Sequence, residues 1–189
     1  MKKLKPLAPK ALSKMNTTEP KRIFTALADA LFGEPKGFKL RERQFQGTTI
    51  LVVDVKRAYY GRIIGSGGKV IQSFQIVLGL AGRKAGKPHA LQVMEIQKDG
   101  KAERLPFVPN LNWNRKWLEL LAGDVTGAMF NASIVHAQDA DDGTTKLEIE
   151  TRDKLPLPES KVAEALSTIF RAIGKANGRE VNVSFKVSK

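Results

Sequence analysis

The sequence contains no cysteine and only two histidines, His89 and His136. Without cysteine the chain has neither a disulfide framework nor a thiolate metal site, and neither histidine has a nucleophile or metal ligand at a suitable spacing. No apolar run approaches the roughly 20 residues of a membrane-spanning helix, and the N-terminus lacks the apolar core of a signal peptide. We therefore expect a cytoplasmic protein that is not an enzyme, has no cofactor or metal, and does not bind membranes.

Acidic residues are scarce in comparison with basic ones. The 189 residues include 32 lysines and arginines but 19 aspartates and glutamates, which gives a formal net charge of +13 and a pI near 10.0. This charge favours a polyanionic partner, and nucleic acid fits better than a membrane because no amphipathic or apolar anchor accompanies the charge. Residues 56–88 contain no acid, and seven of them are basic: Lys56, Arg57, Arg62, Lys69, Arg83, Lys84 and Lys87.

Residues 61–72, GRIIGSGGKVIQ, form a glycine-rich stretch of the kind that presents backbone N–H groups to phosphate. Spacing excludes two nucleotide-binding motifs. A P-loop needs glycine five positions before its Gly-Lys pair and Ser or Thr after it, but Gly68-Lys69 has Ile63 and Val70 at those positions. The dinucleotide-binding motif needs its third glycine at the position of Val70. Neither cofactor class is therefore predicted.

The first part of the chain alternates between helical and strand-like patterns. Residues 1–20 carry five lysines and three prolines without periodicity, and we interpret them as a flexible basic arm. Residues 21–97 form the first predicted unit. Its predicted elements are a helix at Lys21–Phe32, strands at Phe38–Gln46 and Thr48–Lys56, a short helix at Ala58–Ile64, a helix with apolar residues at helical spacing from Val70 to Ala81 that is stopped by Gly82 and Gly86, and a strand at Ala90–Ile96.

A polar linker, residues 98–112, leads to a second predicted unit, residues 113–189. Its predicted elements are a helix around Trp113–Leu121, strands near Ala132–Ala137 and Lys146–Thr151, a helix at Ser160–Ala176 and a strand at Glu180–Val187. The order is α-β-β-α-β. When the chain is shifted by 92 positions, Gly82 meets Gly174 and Gly86 meets Gly178. We therefore predict two tandem copies of one small unit.

Residues 59–71, YYGRIIGSGGKVI, resemble the hallmark of the KH domain, in which an aliphatic pair precedes a G-x-x-G loop and an isoleucine follows. The resemblance implies the type II, prokaryotic KH fold, similar to small bacterial single-KH RNA-binding proteins. The expected fold class is thus α+β, with two tandem type II KH-like units that are each a small sheet covered by helices. The motif supports the first unit, whereas the second resembles the family by topology alone.

A glycine-rich turn between two helices lets a sugar-phosphate backbone approach closely, and the dipole of the following helix favours its negative charge. An apolar groove beside the turn would hold unstacked bases. In the KH family this arrangement implies about four nucleotides of single strand. The candidate nucleic-acid-binding residues are Arg57, Arg62, Ile63, Ile64, Gly65, Ser66, Gly67, Gly68, Lys69 and Ile71.

The second copy departs from the motif. At the 92-residue shift, Gly65–Gly68 aligns with Leu157-Pro158-Glu159-Ser160. Proline has no N–H and glutamate repels phosphate, so we expect a degenerate unit that serves packing, a protein partner or self-association.

Two weaker patterns have structural explanations. The stretch DADDG, residues 139–143, lacks the ligand spacing of an EF-hand and is better explained as a hairpin tip. Trp113 and Trp117 lie one helical turn apart, which is more typical of a buried stripe than of a base-stacking pair.

The expected function is therefore binding of single-stranded RNA by the first unit, without catalysis. Single-stranded DNA is an alternative ligand, because the loop and the groove do not require a ribose 2′-OH. The other alternative is a protein-interaction or assembly module that contacts nucleic acid through its basic arm alone.

Overall fold

A computed structural model describes residues 20–32, 37–96, 114–130, 133–152 and 159–187. It confirms the α+β class, with five α-helices and two three-stranded mixed sheets among these residues. Several predicted features lie outside the described residues: the arm up to residue 19, the linker 98–112, Trp113, Leu157 and Pro158.

The first half has the predicted order α-β-β-α-α-β. Its elements are α1 (Pro20–Phe32), β1 (Phe38–Phe45), β2 (Thr48–Lys56), α2 (Arg57–Ile64), a 3₁₀ turn (Ser66–Gly68), α3 (Lys69–Lys84) and β3 (His89–Ile96). Strand β2 lies in the centre of the sheet, antiparallel to β1 and parallel to β3. The β1–β2 hairpin turns on Gln46 and Gly47, both at positive φ (46° and 78°), because two such residues match the twist of paired strands.

The second half has the order α-β-β-α-β. Its elements are α4 (Arg115–Met129), β4 (Ser133–Asp139), β5 (Thr144–Thr151), α5 (Glu159–Ala176) and β6 (Glu180–Val187). Strand β5 is central, antiparallel to β4 and parallel to β6. The second sheet therefore repeats the strand order and directions of the first.

Helix α3 passes Gly82 and ends at Lys84, between the two glycines that were predicted to stop it, because a single glycine inside a packed helix costs only about 1 kcal/mol. Gly86 follows with a φ of +71°. Helix α4 is longer than predicted. Helix α4 begins after Asn114, whose Oδ1 accepts the N–H of Trp117 at 2.9 Å, and runs to Met129 rather than Leu121. Its apolar residues continue at helical spacing and stay buried, so packing extends the helix.

Both halves contribute to one hydrophobic core. Helices α1 and α3 of the first half each contact α4 and α5 of the second half, and the apolar faces of both sheets belong to the same buried cluster. The buried amide of Asn177, after α5, donates to the carbonyl of Ala30 in α1 at 3.2 Å. The two predicted units are thus packed together through their helices, and each sheet keeps one face away from the core.

The repeat is visible in matching contacts. After α3, the N–H of Lys87 donates to the carbonyl of Gly82 at 2.9 Å, and after α5 the N–H of Arg179 donates to Gly174 at 2.9 Å. Near the hairpins, the side chain of Thr49 bonds that of Gln44, and Thr145 bonds Asp139. Helices α1 and α4 also bury equivalent positions: Ile23 and Leu121, Phe24 and Ala122, Leu27 and Val125, Leu31 and Met129, Phe32 and Phe130.

Within the described ranges, no single helix is long and apolar enough to cross a membrane. Helices α2 and α3 reach the required length and composition only as a pair that is bent by 48°.

Candidate nucleic-acid interface

The glycine loop, Gly65–Gly68, lies between α2 and α3. Helix α2 begins directly after β2, so the loop is tied to the central strand of the first sheet. Tyr59 and Ile63 hold α2 to the core with exposed fractions of 6% and 0%. The helix that precedes the loop is therefore packed firmly into the core.

Gly65 has a conformation and a position that exclude a side chain. Its φ is +73°, and a Cβ atom on it would lie 2.4 Å from Cγ2 of Val70 and 3.0 Å from the backbone nitrogen of Val70. Its N–H donates to the carbonyl of Gly61 at 2.9 Å. The backbone of the loop thus packs directly on the first turn of α3.

The tip of the loop consists of Ser66 and Gly67, which are both exposed. Gly67 and Gly68 have φ of +59° and +77°, and a Cβ on Gly67 would meet nothing within 4 Å. Conformation rather than crowding therefore favours glycine at residue 67. The tip stands at the N-terminus of the 16-residue helix α3, where backbone N–H groups and the helix dipole attract anions.

Two of the predicted cations flank the loop. Lys69 opens α3 and is exposed. The guanidinium of Arg62 lies 5.3 Å from the centroid of the Tyr59 ring, which orients it by a cation–π contact. Arg57 lies at the other end of α2, where it is 75% exposed and its Nε lies 3.5 Å from Oε1 of Glu95. Arg62 and Lys69 therefore provide the positive charge next to the loop.

The basic stretch 56–88 is divided by the fold. Lys56 ends β2 before α2, whereas Arg83 and Lys84 lie in the last turn of α3 and Lys87 follows it. A 16-residue helix is about 24 Å long, so the second group cannot contact the same phosphate as the loop. The sequence stretch is continuous, but the positive surface is not.

The three isoleucines of the predicted groove occupy different environments. Ile63 is fully buried in the core, so the expectation that its side chain faces a ligand is corrected: it supports the loop from below. Ile64 and Ile71 are partly buried and pack against the core edge. These two leave apolar surface beside the loop for a base.

The weaker sequence patterns have structural roles. Residues 139–143 form the hairpin between β4 and β5, where Oδ1 of Asp142 accepts the N–H of Thr144 at 2.9 Å. Trp117 is partly buried against the core, and Trp113, the other residue of the predicted stripe, lies outside the described residues. His89 lies on β3 and His136 on β4, in different sheets. Among the described residues, no group of three His, Asp or Glu side chains could hold a metal ion.

The second half has a shorter connection where the first half has the glycine loop. Twelve residues separate β2 from α3, whereas seven separate β5 from α5. Glu159 and Ser160, which align with Gly67 and Gly68, are the first residues of α5. The difference is therefore a change of backbone course as well as a loss of glycine.

Sequence analysis missed one cationic surface. Lys39, Arg41 and Arg43 alternate along β1 and share the face of the first sheet that is turned away from the core. The cations alternate with a period of two in FKLRERQF, which predicts that they share one face of a strand, because alternate residues of a strand lie on the same side.

In comparisons with known proteins, the chain matches no protein-family model and has no significant sequence similarity to a curated protein. The resemblance of residues 59–71 to the KH hallmark therefore remains a prediction.

Proposed function

We propose that this chain binds single-stranded RNA through the glycine loop, and that its halves are a type II KH-like unit and a degenerate copy. The observation that carries the proposal is the backbone of Gly65. Its positive φ and its closeness to Val70 hold Ser66 and Gly67 outward at the start of α3. A phosphate of a nucleic-acid strand can approach this backbone closely, because Gly65, Gly67 and Gly68 have no side chains.

Single-stranded rather than duplex nucleic acid is supported by the surroundings of the loop. Ile64 and Ile71 provide partly exposed apolar surface, which suits an unstacked base. Arg62 and Lys69 provide charge at the loop itself. A duplex would offer phosphates but would keep its bases away from the isoleucines.

The test replaces Ser66 and Gly67 together by Asp and measures fluorescence anisotropy with a labelled, unstructured RNA. Two carboxylates at the tip repel phosphate, so we expect binding to fall at least about tenfold, as for loss of a charged hydrogen bond. Asp tolerates positive φ better than most residues, and circular dichroism with a melting curve verifies folding. Ser66→Glu with Lys69→Glu gives a second variant that keeps every glycine.

The matched control is Gln138→Glu with Ser184→Glu, two exposed positions on the second sheet. It adds the same two negative charges away from the loop and should change affinity by less than about twofold, as distant surface charges are screened. If the loop variants bind RNA as well as the parent, the glycine loop only joins two helices. A matched DNA oligomer and a hairpin stem, used as competitors, separate the RNA proposal from DNA or duplex binding.

A further inference from the structure

The first sheet has an outer face, turned away from the core, on which Val52 at the centre is buried and the surrounding side chains are partly or fully exposed. Leu51, Val53 and Val55 of β2 point into the core, so the alternate residues point outward. Pairing in the sheet assigns their neighbours to the same face. This outer face consists of Lys39, Arg41, Arg43 and Phe45 from β1, Thr48, Ile50, Val52, Asp54 and Lys56 from β2, and Ala90, Gln92, Met94 and Ile96 from β3.

Positive charge dominates the outer face of the first sheet. Asp54 is its only acidic residue, and Arg41 binds both carboxylate oxygens at 2.7 Å. The hydrogen bond from Arg41 lowers the pKa of Asp54, and the charges of Lys39 and Arg43 lower it further. The negative charge of Asp54 is thus balanced by the neighbouring cations, and the outer face keeps a net positive charge.

The same face exposes apolar surface among the cations. Phe45 is 61% exposed and Met94 is 44% exposed. Phe45 follows Arg43 by two residues, so the ring and the guanidinium lie on one side of β1. An aromatic ring beside cations is the arrangement on which proteins stack bases of a single strand while holding its phosphates.

The second sheet provides an internal comparison. Ile134, His136 and Gln138 occupy the places of Lys39, Arg41 and Arg43, and Glu148 occupies the place of Val52. Two further acids, Glu150 and Glu180, lie on this outer face with Lys146 and Lys186. The fold therefore does not require a cationic outer face. The positive charge on the outer face of the first sheet must have another cause than the stability of the fold.

One short helix separates the outer face from the glycine loop. Lys56 ends β2 on this face, and the eight residues of α2 lead from Arg57 to the loop, a length of about 12 Å. Strand β2 has nine residues, a length of about 30 Å. A nucleic-acid strand that extends well beyond the few nucleotides expected at the loop is therefore long enough to reach this surface.

We propose that the outer face of β1, β2 and β3 binds a further segment of the same single-stranded nucleic acid. Lys39, Arg43 and Lys56 contact phosphates, and Phe45 stacks on a base. This inference rests on the proposed function of the glycine loop, and it makes the binding site longer than the loop. A second copy of the chain is a poorer occupant, because two such faces would bring like charges together.

The test uses oligouridine of four and of twelve nucleotides. Arg43→Gln with Phe45→Ala removes one charge and the exposed ring. We expect the affinity for the twelve-nucleotide RNA to fall about tenfold, the size of a lost base stack, while the affinity for the four-nucleotide RNA changes less than about twofold. The matched control, Gln138→Glu with Ile134→Ala, also lowers the net charge by one and truncates an exposed apolar residue, and should leave both affinities unchanged.

The outcomes separate the two proposals. If Arg43→Gln with Phe45→Ala leaves the twelve-nucleotide affinity unchanged, the outer face does not bind RNA, whatever the loop does. If the Ser66 and Gly67 variant binds both oligomers normally while the outer-face variant weakens the longer one, the loop proposal is wrong and the sheet binds alone. Sedimentation that shows a dimer lost in the outer-face variant, with unchanged RNA affinity, would overturn the inference in favour of self-association.

Discussion

Arg43 on the first sheet and Gln138 on the second occupy equivalent places, as do Arg41 and His136. The inner faces of the same strands are alike, because Leu51 and Leu147 both belong to the shared core. Equivalent contacts also close the turns after α3 and α5. The two halves thus keep the residues that specify the backbone and differ on the outer faces of their sheets.

The connection that follows the central strand of each sheet shows the same contrast. In the first half, α2 and the glycine loop fill the twelve residues after β2. In the second half, the shorter connection leads to α5, whose first residue is Glu159. The sheet and the core tolerate either version, so stability alone does not explain why the first half has three glycines in four positions.

Substitution of the glycine at the end of each central helix should give the largest loss of stability. A Cβ on Gly82 would lie 2.7 Å from the carbonyl oxygen of Lys87, and one on Gly174 would lie 2.9 Å from that of Arg179. Gly82→Ala and Gly174→Ala should each lower the free energy of unfolding by about 2 kcal/mol, since overpacking outweighs the helix propensity of alanine. Urea denaturation measures both.

Gly79→Ala is the control for these two variants, because a Cβ there would meet nothing within 4 Å. It should stabilise α3 by up to about 1 kcal/mol. If Gly82→Ala destabilises and Gly174→Ala does not, the two turns are not equivalent and the comparison between the halves fails at this point.

Loss of the hydrogen bond from Asn177 to Ala30, which links the two halves, should have a smaller effect on stability. Asn177 donates to the carbonyls of Ala30 and Ile173 at 3.2 and 2.8 Å, whereas the equivalent residue in the first half is the exposed Ala85. Asn177→Ala should lower the free energy of unfolding by about 1–2 kcal/mol. The reciprocal variant, Ala85→Asn, should change the free energy of unfolding by less than about 0.5 kcal/mol. Effects of equal size for the two variants would contradict the expected difference between residues 177 and 85.

Asp29 should make the stability of the first half depend on pH. Burial raises the pKa of this carboxyl on α1 to about 6, and the equivalent residue of α4 is Gly127. Because the folded chain binds the proton more tightly, this contribution is complete below pH 4 and is lost as pH rises through 6. Asp29→Asn should therefore stabilise the protein by about 1 kcal/mol at pH 8, after allowance for partial exposure, and by little at pH 4.

Melting curves of the parent and Asp29→Asn at several pH values measure this effect. Asp142→Asn provides the opposite case, since hydrogen bonds from Thr144 lower the pKa of Asp142. Its effect should be constant between pH 5 and 8 and should diminish only in more acidic solution. A constant difference between Asp29→Asn and the parent over the whole range would contradict the assigned pKa.

The element order and the positions of the glycines could be predicted from local pattern. Apolar residues at helical spacing identified α1 and α3, and the alternation of Val181, Val183 and Phe185 predicted β6 with its observed bounds. Gly65–Gly68 could be recognised as a turn between helices because glycine is the residue that adopts positive φ freely. Periodicity and backbone preference depend on residues that are close in sequence, so they can be recognised without knowledge of the tertiary structure.

Tertiary structure decided which of these residues are exposed and which of them contact one another. It placed Ile63 entirely in the core and put Arg83 at the far end of α3 from the loop. It also packed the halves through their helices and aligned the cations of β1 beside Phe45. Burial and distance depend on contacts between segments far apart in sequence, and local pattern contains no information about how those segments come together.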